Sequence, residues 1–303
     1  MRVASNQFQA SMGAAMQSAN SKLSDLQQQM SSGQRLLVPS DDPIASVRLL
    51  RLQREEAALS QYRDNISSLR SRLSMNESYL DSMSKDAMQV RDLLVWAADG
   101  GNTADDLRAM SNSLTSLRDS LFDTANTKDQ EGRYLFSGTA SGTQTITLDT
   151  TQPAGSRYSF TGNTDLQQVV VGHGVTQPSN VTLEDTPALL NLLDKTIALL
   201  QSPTLDPSNP AVGQTVRQAL DGTDSALKSI GIKIAEQGGA QNTLQMMDDN
   251  HSNVSLANQQ NMANLGNLDY AEASINMNSY LLAVQASQKA YGKISALSLF
   301  DVI

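Results

Sequence analysis

The sequence predicts a mainly α-helical fold with a small inserted β domain, its N- and C-terminal segments forming a long antiparallel helical rod or coiled coil. Three observations predict it. From Ile44 to Asp99 no Gly or Pro interrupts the chain, and apolar residues recur every three or four positions. Period-two alternation, with frequent Thr, Gly and Val, is confined to residues 133–184. Helical patterning then resumes and runs to the C-terminus, so the chain goes out through helices, makes a β tip and returns through helices.

The first helix is read from Phe8, Met12, Ala15, Ala19, Leu23, Leu26 and Met30, which share one face, and Gly33 supplies the usual stop. Its seam is thin, because two members are alanines and Gly13 lies inside the run. Burying a large aliphatic side chain is worth about 1.5–3 kcal/mol, and a lone helix in water is marginal. Residues 1–32 are therefore expected not to fold stably without a partner surface.

Pro39-Ser40-Asp41-Asp42-Pro43 is a helix-start signal, with Asp42 as the cap and Pro43 at the first helical position. A continuous helix from here to Asp99 would be about 80 Å long. Its seam comprises Tyr62, Ile66, Leu69, Leu73, Leu80, Met83, Ala87, Val90, Leu94 and Ala97, broken in the middle by Asn76. Arg70, Arg72, Asp81 and Lys85 mark the other faces. Trp96 reads as a packing residue near the helix end. Gly100-Gly101-Asn102 turns the chain, Thr103 caps, and Leu107, Met110, Leu114, Leu117 and Leu121 make a second seam. Two heptad helices joined by so short a turn are expected to pack antiparallel, and Gly132 closes the pair.

In the β segment, Gln144-Ile146-Leu148 alternate with Thr143, Thr145 and Thr147, and Tyr158 and Phe160 alternate with Arg157, Ser159 and Thr161. Gly162-Asn163 reads as a turn before a Gln167–Val171 strand. Helical patterning returns at Pro187 and continues to Leu200, and the three-proline stretch from Ser202 to Pro210 is a loop. A helical run over 211–264 carries Val216, Leu220, Leu227, Ile230 and Ile234, with Gly238-Gly239 expected to bend or break it. A last helix starts near Leu268 and shows Ala271, Ile275, Leu282, Val284, Ala290, Ile294 and Leu297.

Charge is distributed unevenly. Residues 1–40 hold four charged groups and residues 265–303 hold five, whereas residues 41–132 hold eleven basic and sixteen acidic ones. A solvated helix carries charge on its outer face, so the Gln/Ser/Asn-rich ends point to helices surrounded by other protein. Flexible polar tails are the competing reading, and the regular seams at both ends count against it.

Composition excludes several classes. With no cysteine among 303 residues there is no disulfide, thiolate metal site or cysteine nucleophile. Two distant histidines leave little for a zinc site or a triad, and a net charge of -9 with 4% aromatics argues against nucleic-acid binding. Gly172-His173-Gly174 follows a Val-rich strand, but Gln177 stands at the third glycine position of a dinucleotide loop and Pro178 where a helix should begin, so a hairpin or turn is the better reading. His251 after Asp248-Asp249-Asn250 fits a polar helix face better than a metal cluster, and Ser137-Gly138 and Ser141-Gly142 make no nucleophile elbow. A hydrolase built on His173 would need a second acid or base beside it. No catalytic, cofactor or metal site is expected. No stretch approaches the roughly 18 apolar residues of a membrane helix, and the N-terminus has neither the apolar region nor the cleavage site of a secretory signal.

Three separated motifs carry a resemblance. Ser31 to Pro43, SSGQRLLVPSDDP, is similar to the flagellin-type S-S-G-x-R…DDP segment; Gly132 to Thr139, GRYLFSGT, resembles the G-x-Y-L-F-S-G-T entry to the β domain of hook-filament junction proteins; and Leu268 to Ala273 with the ending SLFDVI is similar to that family's C-terminus. The chain thus resembles the FlgL-type hook-associated family, which is flagellin-like. Flagellin, a filament subunit, is the alternative, but its loop continues after the aspartates without Pro43, and its C-terminus ends in a Leu-rich motif.

The resemblance implies an extracellular structural protein of the bacterial flagellum, exported unfolded by a type III route without a cleaved signal. Its implied partners are the first hook-associated protein on the hook side, flagellin on the filament side, copies of itself in a ring, and a cytosolic export chaperone, with no nucleic acid and no membrane. On this reading residues 1–40 with 265–303 form an inner coiled-coil domain, 41–132 with 185–264 a helical rod domain, and 133–184 the β domain. The expected assembly interface sets Phe8, Met12, Leu23, Leu26 and Met30 against Ile275, Leu282, Ile294 and Leu297. The loop motif Gly33, Arg35, Asp41, Asp42 and Pro43 is expected to orient the inner helix on the rod, with Arg35 facing Asp41 or Asp42.

Overall fold

The computed structural model describes residues 2–300, with side chains for residue 7 and residues 10–293. Six helices and four strands follow in the order α1 (Arg2–Ser32), α2 (Pro43–Ala97), α3 (Ala104–Ala125), β1 (Ile146–Leu148), β2 (Tyr158–Phe160), β3 (Gln168–Gly172), β4 (Val175–Pro178), α4 (Thr186–Leu200), α5 (Pro210–Gly266) and α6 (Tyr270–Phe300). The protein is mainly α with a small β insert of two antiparallel hairpins, as the periodicities predict. It forms two compact units, Met1–Leu59 with Ser252–Ile303 and Ser60–His251.

In the second unit α2 supplies a long apolar seam, interrupted at Asn76. Ile66, Leu69, Leu73, Leu80, Met83, Ala87, Val90, Leu94 and Ala97 are all buried. The Thr103 hydroxyl and the Asp106 carboxylate form a reciprocal capping box that starts α3 immediately after the turn. Ser120 donates to Asp86 at 2.7 Å, which fixes α3 antiparallel to α2. The α5 helix also runs antiparallel to α2, through Arg91–Asp224 at 2.7 Å, Gln241–Glu77 at 2.7 Å and Arg63–Asp248 at 3.0 Å.

Two apolar clusters fill this unit. The larger gathers Leu80 to Ala97 of α2, the α3 seam, α4, the first part of α5 up to Ile230 and Ile234, and Leu135, Phe136, Ile146 and Tyr158 of the insert. The smaller joins Ile66, Leu69 and Leu73 to Leu244 and to Val171 of β3. Asn76 and Gln237 fall in the sequence gaps between the two clusters, and both are buried. Both polar atoms of the Asn76 amide and the Gln237 Oε1 lack hydrogen-bond partners.

The β hairpins are held to the helices by specific bonds. In the first, β1 pairs with β2, and Asn191 of α4 exchanges two hydrogen bonds with the Tyr158 backbone, at 2.9 and 2.8 Å. Asp194, also on α4, accepts from Arg118 at 3.1 Å and from the Gly155 N–H at 3.0 Å, with Arg157 at 3.5 Å. In the second, β3 pairs with β4 through an irregular register at Gly172. Asn65 donates to the Val170 carbonyl at 2.7 Å, and the His251 Nε2 lies 2.8 Å from that of Val171.

Several expectations are corrected. The α5 helix runs unbroken for 57 residues through Gly238-Gly239, because the flanking turns carry the packing, through Ile230 and Ile234 before the pair and Ala240 and Leu244 after it. Trp96 is 66% exposed, since the seam passes through Leu94 and Ala97 instead. The α3 helix ends at Ala125 rather than near Gly132: Asn126 leaves the helix and ties its side chain to both backbone groups of Ile146, at 3.0 Å each. Leu148 is exposed although it shares the alternation of Ile146, and β4 completes a hairpin about Gly172-His173-Gly174 although VTQP carries no apolar alternation.

Candidate assembly surface

The first unit contains the terminal helices and the loop motif. Residues 33–42 cross over from α1 to α2, and the α5–α6 turn lies against them. Gly33 has φ of 71°, in the left-handed region that ends a helix with glycine, and a Cβ there would lie 3.2 Å from the Tyr270 hydroxyl. That hydroxyl donates to the Met30 carbonyl at 3.1 Å. The Arg35 N–H donates to Gly266 at 2.7 Å, and the Leu268 N–H donates back to Gly33 at 3.0 Å. Two segments separated by the whole molecule in sequence thus share a short antiparallel bridge.

Arg35 is the pivot of this crossing. Its guanidinium donates twice to the Leu265 carbonyl, at 3.2 and 3.0 Å, and lies 3.6 Å from Asp42. Gln29 donates to the Arg35 carbonyl at 2.7 Å, which closes the return from α1. Asp42 accepts from the Ala45 N–H at 3.0 Å and so caps α2, with Pro43 as the first helical residue. That backbone bond, opposed by desolvation and aided by Arg35, holds the Asp42 carboxyl below its ordinary 3.8. Asp41 does not meet Arg35; it accepts from Leu37 and Val38 N–H at 2.9 and 3.0 Å and shapes the loop itself.

The terminal helices lie antiparallel. Met30 meets Tyr270 at one end, and the Lys22 ammonium stands over the Tyr280 ring further along, 5.8 Å from its centre. Leu26 of α1 and Ala273 and Val284 of α6 are buried; Met12, Leu23 and Met30 are half-buried. Ile275 and Leu282 do not face α1. They are 67% and 66% exposed, about half a turn of the helix from Ala273 and Val284, so α6 carries two apolar stripes where a single one was read from the sequence. Phe8, Ile294 and Leu297 lie outside the residues whose side chains are described.

Beside the loop, α2 and α5 leave a groove of about 530 Å³, lined by residues that include Leu37, Val38, Leu49, Leu50 and Met262 and by no charged side chain. Gly266 lets the helices approach, since a Cβ there would stand 3.1 Å from Leu49 Cδ1. This groove was missed in the sequence because its walls lie more than two hundred residues apart. Elsewhere His173 sits exposed in the β3–β4 turn. Among the described residues no group of three or more His, Cys, Asp or Glu side chains could hold a metal ion, and no helix is long and apolar enough to cross a membrane.

Known proteins share this architecture. The bacterial flagellin N-terminal helical region matches residues 3–141. A solved flagellar hook-associated protein from Vibrio parahaemolyticus is 34% identical and superposes with a TM-score of 0.67, covering 75% of this chain and all of its own. The flagellar junction protein FlgL from Legionella pneumophila shares the fold at 16% identity and a TM-score of 0.59, covering 72% of this chain and all of its own. Flagellar hook-associated protein 3 of Escherichia coli is 30% identical over 295 residues, 91% of each chain. The chain belongs to the flagellar hook-associated protein 3 family.

Proposed function

We propose that this protein is the structural adaptor joining the hook-associated ring at the distal hook to the flagellin filament. The observation that carries this reading is the alignment along nine-tenths of both chains with a hook-associated protein 3. Its role is mechanical, without catalysis. On this reading it leaves the cell unfolded through the flagellar export route with its N-terminus uncut, accompanied until then by a cytosolic chaperone. Outside, it forms a ring of its own copies, with the first hook-associated protein on one side and flagellin on the other.

Residues 1–40 with 265–303 then make the inner coiled coil, 41–132 with 185–264 the rod, and 133–184 the β domain. The two 31-residue terminal helices fit such a role through their scarcity of charge and, on α6, the exposed apolar side chains of Ile275, Leu281 and Leu282. Met12, Leu23, Leu26 and Met30 seat α1, and Ile275 and Leu282 present α6 to neighbouring protein. Gly33, Arg35, Asp41, Asp42 and Pro43 set the angle at which the terminal helices leave α2.

The experiment is gold labelling of the chain on intact flagella, paired with seeding of purified protein by filament fragments. Label confined to the base of the filament, with no elongation of the seeds, is the expected result. Label along the filament with indefinite growth would identify a flagellin instead.

A further inference from the structure

The uncharged groove of the first unit has the form of an acceptor for one helix. Its α2 wall uses positions 46, 49, 50 and 53, and its α5 wall positions 259, 262, 263 and 266. Each set has the i, i+3, i+4, i+7 spacing of one helical face over one heptad. Two helices that turn such faces toward a common side leave a furrow a third helix can enter, its apolar anchors spaced like theirs. Residues 36–39 close the furrow at the side of the loop.

A ridge of matching length lies on α6. Ile275 and Leu282 are one heptad apart, about 10 Å along the axis, and both are two-thirds exposed. They sit within residues 273–288, which contain no charged residue. Exposed apolar residues at the start of α2, Ile44 and Val47, lie instead among Asp41, Asp42, Arg48 and Arg51. A charged ridge would be costly to bury in a groove that offers it no counter-charge, so of these two helical ridges chemistry favours the α6 stripe. The groove's own α6 does not fill it, because Ala273 and Val284 are the side chains buried on that helix and Ile275 and Leu282 remain in solvent.

We infer that the groove takes the Ile275–Leu282 ridge of a second copy of this chain. The inference rests on the assembly reading above and gives it a specific contact. Because groove and ridge are different patches, the contact is heterologous: a copy that receives a ridge still has its own to offer.

The absence of native cysteine makes the test clean. Cells make the full chain carrying both Met262→Cys and Leu282→Cys in place of the native protein, and isolated flagella are treated with a short bismaleimide. A ladder of dimers, trimers and higher multiples of the chain is expected, with no ladder from either single variant or from Ile232→Cys paired with Leu282→Cys. Leu50→Cys replaces Met262→Cys as the groove probe should the latter fail to accumulate. The proposal is overturned by flagella that carry the chain yet give no ladder, by dimers from a single variant at equal yield, or by a groove cross-link to a different protein. Flagella from cells making the native chain that lack it altogether would overturn the assembly reading itself, and this contact with it.

Discussion

Gly138 shows how one residue fixes the entry to the β insert. Its φ is 73°, and a Cβ there would collide with the backbone carbonyl and the side-chain oxygen of Asn163. Asn163 stays in place because its amide bonds the Thr139 N–H at 2.8 Å and hydroxyl at 2.7 Å. Gly138→Ala therefore combines a left-handed L-residue with a steric overlap and should cost about 2 kcal/mol or more, read as a lower thermal midpoint. The F-S-G-T motif was legible in the sequence, but its reason was not, since Asn163 stands far along the chain. Asp194 is a second such residue: it is buried with Arg118, Arg157 and the Gly155 N–H around it. Asp194→Leu leaves Arg118 with only the exposed Asp119 as counter-charge and the Gly155 N–H without its acceptor, and denaturant unfolding should register a loss of about 1–3 kcal/mol.

At the scale of elements, the polar layer at Asn76 interrupts the α2 seam where Leu73 gives way to Leu80. An amide buried with both polar atoms unpaired costs roughly 1–3 kcal/mol. Asn76→Leu should therefore stabilise the protein, with a raised melting temperature, and a fall on that substitution would show that the amide is satisfied in solution. Helix starts behave differently. The Asp42 carboxyl is held below its ordinary 3.8 chiefly by the Ala45 N–H, and that of Asp106 chiefly by the Thr103 hydroxyl. A lowered carboxyl pKa gives stability that is fully present above the ordinary value and is lost as pH falls through the folded one. Replacing both by Asn, which still caps, should flatten the acid limb of a helicity titration below about pH 4. The seams of α2 and α3 were readable because a period near 3.5 survives any tertiary context. Gly238-Gly239 reads as a bend or break on propensity alone, whereas the packing on either side keeps the helix whole; the bounds of β4 are not legible because a short hairpin strand needs only a partner and no apolar pattern of its own.

Across the molecule, burial is shared unequally. Among the described residues, Leu26, Ala273 and Val284 are the buried apolar side chains of the two 31-residue terminal helices, whereas α4 alone buries Leu189, Leu190, Leu193, Ile197 and Leu200. Ordering backbone costs about 1–2 kcal/mol per residue, so the terminal pair has little to offset it in an isolated chain. Limited proteolysis of dilute purified protein should trim the ends and leave a resistant core of about residues 40–265; equal protection of the termini would contradict this. Leu282→Asp should leave the helicity of that core unchanged and stop filaments from attaching, since Leu282 is mostly in solvent before assembly. The sequence revealed that the ends were made for contact, through their missing charge, yet it could not separate the stripe facing α1 from the stripe facing outward, because both are apolar and differ only in which neighbour the fold supplies. The same missing charge has a further consequence. Dissolved ions weaken attraction only between charges, with a reach of roughly 10 Å at 0.1 M, and the lining of the groove and residues 273–288 give them none to act on. A joint made from such surfaces is not loosened by brine, which if anything strengthens apolar burial.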